Sequence, residues 1–193
     1  CNIQALYKVG FQKLIHCPIG YIDSMTYLKP QKEDIDILFY GALSARRRQI
    51  LEDFKESGLE VLHLYNKYGE ERDNYIARAK IILNLHYFKN SVFEIFRVSH
   101  ALSNHKCVVS ENGGQDLQLE EFANRAITHV PTHRLVEACR NLLDNESARK
   151  SSIERGFEEF KKIELITSVR NSVHASATKS PSASEERAPD GTP

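Results

Sequence analysis

The stretch Ile35-Asp36-Ile37-Leu38-Phe39-Tyr40-Gly41-Ala42-Leu43-Ser44-Ala45-Arg46-Arg47-Arg48 carries the strongest signal of architecture in the chain. Its first six residues are a short run rich in β-branched and aromatic side chains, and the run stops at Gly41. Ser44 then stands where it can cap a helix that carries Ile50, Leu51 and Phe54 on one face and ends at Gly58. Strand, tight turn and helix in that order open a parallel α/β sheet.

The same alternation continues along the chain. Leu59 to Tyr65 reads as a second strand and Glu70 to Ala79 as a short helix with Tyr75, Ile76 and Ala79 inward. Lys80 to His86 is a third strand, Val92 to Ser103 a helix with Phe93, Phe96 and Ala101 inward, and Lys106 to Ser110 a fourth strand. Ala126 to Val130 is a weaker fifth. Pro131 and Thr132 then open a helix with Leu135, Val136, Cys139, Leu142 and Leu143 in one stripe, and Ala148, Ile153, Phe157 and Phe160 mark a last helix. Strands apolar on both faces and alternating with helices predict a Rossmann-like α/β parallel sheet flanked by helices with right-handed crossovers.

The ends differ from this pattern. From Ser168 to Pro193 there is no Ile, Leu, Phe, Tyr or Met, so residues 168–193 are expected to form a disordered tail. Residues 31–167 are expected to be the folded domain, and residues 1–30 the end of a preceding domain and its linker. The first residue is Cys1, not Met, which suggests a fragment.

The 193 residues carry 26 Lys and Arg against 26 Asp and Glu, a formal net charge of zero. That balance removes the long-range attraction on which non-specific nucleic-acid binding depends, so no nucleic-acid partner is expected. No apolar run approaches the ~18 residues of a membrane span, and no basic-then-apolar leader opens the chain, so a cytoplasmic protein is expected. Cys1, Cys17, Cys107 and Cys139 form no C-x-x-C pair and are expected as reduced thiols. His129 and His133 straddle Pro131 and would not share a helix face, so no metal site is expected.

In open parallel sheets, ligands bind beyond the carboxyl ends of the strands. Three loops therefore matter. In the first, Gly41 precedes a helix whose opening turn holds Arg46, Arg47 and Arg48, although a helix N-terminus favours carboxylates. A phosphate or diphosphate gripped by guanidinium forks and backbone N–H groups would compensate that breach. The loop is neither G-x-G-x-x-G nor a Walker A sequence. The second cluster is Asn84, His86, Tyr87, Asn90, Ser91, Glu94, Arg97 and Ser99, in which Glu94 could accept hydrogen bonds from a ribose diol. Arg97, three residues on, could equally be an ordinary ion pair with Glu94. The third, Ser110-Glu111-Asn112-Gly113-Gly114, reads as a turn.

Four of these motifs taken together resemble the C-terminal half of GT-B glycosyltransferases, of the group 1 and spore-maturation types. They are Ile37 to Leu43 with its arginine-rich helix start, Ala79 to His86, Phe93 to Val98, and Cys107 to Glu111. His16-Cys17-Pro18-Ile19-Gly20-Tyr21 resembles the crossing into that half, and the likeness covers roughly residues 12 to 162. The resemblance implies a nucleotide-sugar donor site, with Gly41 and Arg46 to Arg48 facing the diphosphate and the Glu94 helix facing ribose and sugar. It also implies no cofactor beyond the donor substrate and an acceptor-binding domain preceding Cys1, without which transfer is expected to be negligible. The family's pair of glutamates eight apart is not present; Ser99 stands about where the second would fall. The alternative is a non-catalytic binding or assembly module on the same scaffold. A receiver-like domain would need a carboxylate after the first strand, whereas Asp34 and Asp36 lie before or within it.

Overall fold

The structure is a computed structural model, and it describes residues 2–12, 14–89, 93–113 and 116–178. Its centre is one parallel sheet of β1 (Ile35–Tyr40), β2 (Val61–Leu64), β3 (Ala79–Asn84), β4 (Cys107–Glu111) and β5 (Thr128–Val130). The strand order is β2-β1-β3-β4-β5. Leu38 pairs with Leu62 on one side and Ile82 on the other, and Ser110 lies between Asn84 and His129.

The helices are α1 (Asn2–Lys8), α2 (Ala45–Glu56), α3 (Gly69–Arg78), α4 (Ile95–Ser103), α5 (Leu117–Ala126), α6 (Leu135–Asp144), α7 (Glu146–Lys161) and α8 (Leu165–Thr178). From Ile37 to Phe39 the side chains of β1 alternate between two cores, while Ile35, at the start of the strand, joins the same core as Leu38. Ile35 and Leu38 join Ile82 and Val108 beneath α3, α4, α5 and α7, where Ile76, Val98, Phe122 and Phe160 are buried. Ile37 and Phe39 join Ile81, Leu83 and Val109 beneath α2 and α6, where Ile50, Phe54, Leu135 and Cys139 are buried. Both faces of the sheet are covered, which is why its strands read as near-continuous apolar runs.

Side-chain caps fix the helix starts where the sequence offers them. Ser44 accepts a hydrogen bond from the Arg47 amide, Asp116 from Leu119 and Asn145 from Ala148. The segment before the sheet is tied down as a strap. Tyr21 forms a parallel bridge with Glu164, and any Cβ on Gly20 would strike the backbone at Ile163 to Leu165. Thr26 donates to the Ser103 carbonyl, and Asn104 Oδ1 accepts from the amides of Tyr27 and Leu28.

Two expectations change. Residues 168–178, expected as part of a disordered tail, are helical within α8 (Leu165–Thr178); residues 179–193 lie outside the described residues. Ser172 anchors this helix by donating to the carbonyls of His16 and Ser168, so the strap gives it a packing partner that composition does not reveal. The α4 helix begins at Ile95 instead of Val92, with Glu94 at its N-cap; Asn90, Ser91, Val92 and Gly114 lie outside the described residues. Among the described residues, no helix is long and apolar enough to cross a membrane.

Candidate functional site

In the order β2-β1-β3-β4-β5, chain direction across the sheet reverses between β1 and β3, and beyond the carboxyl ends of strands at such a switch point is where open parallel sheets take their ligands. Gly41 follows β1, and Leu85 with His86 follows β3. The positive φ of Gly41, 138°, lets the chain turn sharply into the loop before α2. Side-chain absence matters as well, because a Cβ there would lie 3.0 Å from Arg97 Nη2.

Arg46, Arg47 and Arg48 all belong to the first turn of α2, but they do different things. Arg47 is 2% exposed. Its guanidinium donates to the carbonyls of Ala42 (2.8 Å), His86 (3.3 Å) and Leu85 and to Glu94 Oε1 (2.6 Å). It also lies over the rings of Phe39 and Tyr87. Burial lowers its pKa against the pull of Glu94, as expected for a cation enclosed by protein. Arg47 is therefore an internal clamp joining the loops after β1 and β3.

Arg46 is engaged too. It forms a two-pronged pair with Glu111, 2.8 Å from Nη1 to Oε1 with a second contact from Nη2 to Oε2. It also donates to Thr132 Oγ1 and to the His86 carbonyl. Glu111 is 1% exposed and further accepts from the His86 amide and from the Thr132 hydroxyl (2.8 Å). Burial alone would raise its pKa, but the hydrogen bonds from Arg46, the His86 amide and Thr132 outweigh it and hold the carboxyl below its usual range. Glu111 thus gathers the loops following β1, β3 and β5 onto the end of β4. Arg48 is exposed.

The remaining guanidinium is Arg97. Its Nη1 donates to Asn84 Oδ1 (2.7 Å) and pairs with Glu94 Oε2 (2.7 Å), so both Glu94 oxygens are held by arginines. Its Nε is buried without an acceptor, and Nη2, beside Gly41, meets none among the described residues. Asn84 in turn donates to Ser110. Three guanidinium groups, Arg46, Arg47 and Arg97, face two carboxylates here, which leaves the site with surplus positive charge.

Of the residues expected at the site, Gly41, Arg46, Arg47, Asn84, His86, Glu94 and Arg97 come together at the ends of β1 and β3, whereas Arg48 is exposed on α2 and its side chain forms no hydrogen bond or ion pair with them among the described residues. Ser99 does not join them: it is buried in α4 and donates to the Phe96 carbonyl of its own helix. The expected ribose acceptor Glu94 has a prior engagement as shared counter-ion of two arginines. His86 is 1% exposed, with its ring Nε2 unpartnered and its pKa lowered by burial. Glu111, expected only as part of a turn, is the hub. Its signal was a carboxylate ending an otherwise apolar strand. Thr132 carried no signal of its own. Among the described residues, no group of three or more His, Cys, Asp or Glu is placed to hold a metal ion.

No protein-family model matches the chain. The uncharacterized protein L140 of Acanthamoeba polyphaga mimivirus is 30% identical over 151 residues, 75% of this chain and 50% of that protein. The chain thus spans about half the length of this curated relative. Among solved structures it is similar to Anabaena HepE in complex with UDP-glucose, with 12% identity, a TM-score of 0.64, and coverage of 91% of this chain and 61% of that one. It is also similar to sucrose-phosphate synthase from Thermosynechococcus elongatus, with 14% identity, a TM-score of 0.61, and coverage of 92% and 56%. At such identities the likeness is one of fold: the chain has the α/β architecture of one half of a GT-B glycosyltransferase.

Proposed function

We propose that this chain is the donor-binding half of a glycosyltransferase, which takes a nucleoside-diphosphate sugar at the carboxyl ends of β1 and β3. The observation that carries the reading is Arg97: a largely enclosed guanidinium with a buried Nε lacking an acceptor, set beside a glycine at a site of surplus positive charge. A diphosphate seated over Gly41 would take that edge of Arg97 and draw in the exposed Arg48. Arg46 and Arg47 hold the loops in shape beneath it. Neutralising charge that builds on the departing diphosphate is the electrostatic contribution this half makes to sugar transfer. The acceptor hydroxyl would be brought by a second domain, a reading supported by the coverage of only 61% of HepE and 50% of L140. HepE is complexed with UDP-glucose, so uridine nucleotides are the first ligands to try.

One feature favours the alternative, an assembly module. A cavity of about 400 Å³ beside the strap is lined by Cys17, Pro18, Ile19, Phe96, Leu119 and Ile163, among others, and Phe96 is 79% exposed. Titration calorimetry with UDP separates the two. The donor reading predicts binding that weakens about tenfold or more in Arg97→Ala, the effect of losing a charged hydrogen bond. A folded chain that takes up no UDP at millimolar concentration would overturn it and leave the assembly reading.

A further inference from the structure

We infer that His63, at the penultimate position of β2, is a positioning residue for the anion site: it fixes the Gly41 peptide so that the next amide is presented to phosphate. The inference rests on the donor-site reading above. His63 lies opposite Phe39 in the β1–β2 register, and its ring stacks on that of Phe39 with centroids 5.5 Å apart and planes at 21°. Its Nε2 is 2.8 Å from the Gly41 carbonyl oxygen. A carbonyl can only accept, so Nε2 carries the proton.

The neighbouring residue completes the grip. Leu64, next in β2 after His63, accepts a hydrogen bond from the Gly41 amide at 3.0 Å. Gly41 is therefore held at both its N–H and its C=O by consecutive residues of β2. That double hold matters because glycine has the widest backbone freedom of any residue, and a φ of 138° is a conformation that side-chain-bearing residues rarely adopt.

A fixed carbonyl also orients the next amide. In a trans peptide the C=O and the succeeding N–H point in opposite directions, so the Ala42 amide is directed away from His63. That amide meets no acceptor among the described residues, whereas the Ala42 carbonyl is held by Arg47 Nη1 at 2.8 Å. Arg97 also stands close to this glycine: its Nη2 would lie 3.0 Å from a Cβ on Gly41. The Ala42 amide and the Arg97 edge are thus two donors flanking one glycine, and His63 sets the first of them. Pre-set donors bind developing negative charge without the cost of turning toward it. Were His63 only a cap on the sheet edge, loss of its proton donor would alter stability but not discriminate phosphate from nucleoside.

The experiment uses this chain with UDP and uridine as probes and compares His63→Phe, which keeps the ring stack without the donor, with His63→Gln, which keeps a donor. Melting temperature is read for each, and calorimetry gives the affinities. His63→Phe is expected to weaken UDP by about tenfold, leave uridine unchanged and shift the Gly41 and Ala42 amide resonances of the free protein, while His63→Gln recovers most of the loss. Unchanged UDP affinity in His63→Phe overturns the proposal, as does an equal loss for UDP and uridine or a folded His63→Gln that recovers nothing. If the unsubstituted chain takes up no UDP, the donor-site reading fails and the proposal falls with it. If that chain binds UDP and His63→Phe is indifferent, the proposal fails alone.

Discussion

Arg47 shows how little of an arginine's role is written in its local sequence. Three arginines in a helix's first turn, with no acid beside them, mark a charge that wants a partner, and the sequence shows that much. Which partner each one takes is a tertiary matter. Glu94 and Glu111 arrive from the start of α4 and the end of β4, 47 and 65 residues away along the chain, and they engage Arg47 and Arg46. Replacement of Arg47 by Ala is therefore expected to act on stability first. It would orphan the carbonyls of Ala42, Leu85 and His86 and leave Glu94 with one cation in place of two. Leaving buried acceptors of a charged donor unsatisfied costs about 1–3 kcal/mol. Urea denaturation reads it, and a loss below about 1 kcal/mol would mean that Arg47 is not a clamp. The Arg97 role was only half legible: its i,i+3 pairing with Glu94 was foreseeable, but its unpaired Nε depends on Asn84, Gly41 and the aromatic rings packed around it.

Among the elements, the central strands β1, β3 and β4 were legible because they are apolar runs buried on both faces, whereas the edge strands β2 and β5 are partly exposed; all strand ends shifted by only a residue or two. The β3 strand ends at Asn84, so Leu85 and His86 belong to the site loop instead of the ladder. The helix pairing was less legible, as it depends on small residues whose neighbours the sequence does not name. Gly156 in α7 is one. A Cβ there would lie 2.9 Å from the Ala126 carbonyl and 2.7 Å from Leu102 Cδ2, so α7 approaches α4 and the end of α5 only because the side chain is missing. In an open helix, Gly156→Ala would gain about 1 kcal/mol from propensity. Here overpacking, of about 1–3 kcal/mol, is expected to win and lower the melting temperature. An unchanged or higher melting temperature would show that α7 can move aside. The α8 helix was illegible for a related reason: Val169 and Val173 are too few to announce a core-facing helix, and its anchorage comes from the strap.

For the whole molecule, titration links the site to the fold. His86, His100 and His129 all have pKa values lowered from the ordinary histidine value, with burial the leading cause. The unfolded chain therefore binds more protons than the folded one as pH falls through about 6.5, so the stability these groups allow is complete above that pH and is lost on acidification. Glu111, held below its usual range, adds a second loss of the same sign further into acid. Chemical denaturation at pH 8, 6.5 and 5 should give a small decline in the first interval and a steeper one in the second; stability that rises toward pH 5 would contradict the buried neutral histidines.

The parallel sheet brings Gly41 and Arg97 together at the ends of β1 and β3, and the donor-site reading depends on what binds there. The decisive measurement is a crystal structure of the chain with UDP. Diphosphate oxygens are expected within hydrogen-bond distance of the Arg97 guanidinium and the Ala42 amide, with Arg46 and Arg47 still paired to Glu111 and Glu94. A diphosphate bound elsewhere on the surface, with Arg97 untouched, would refute the donor site.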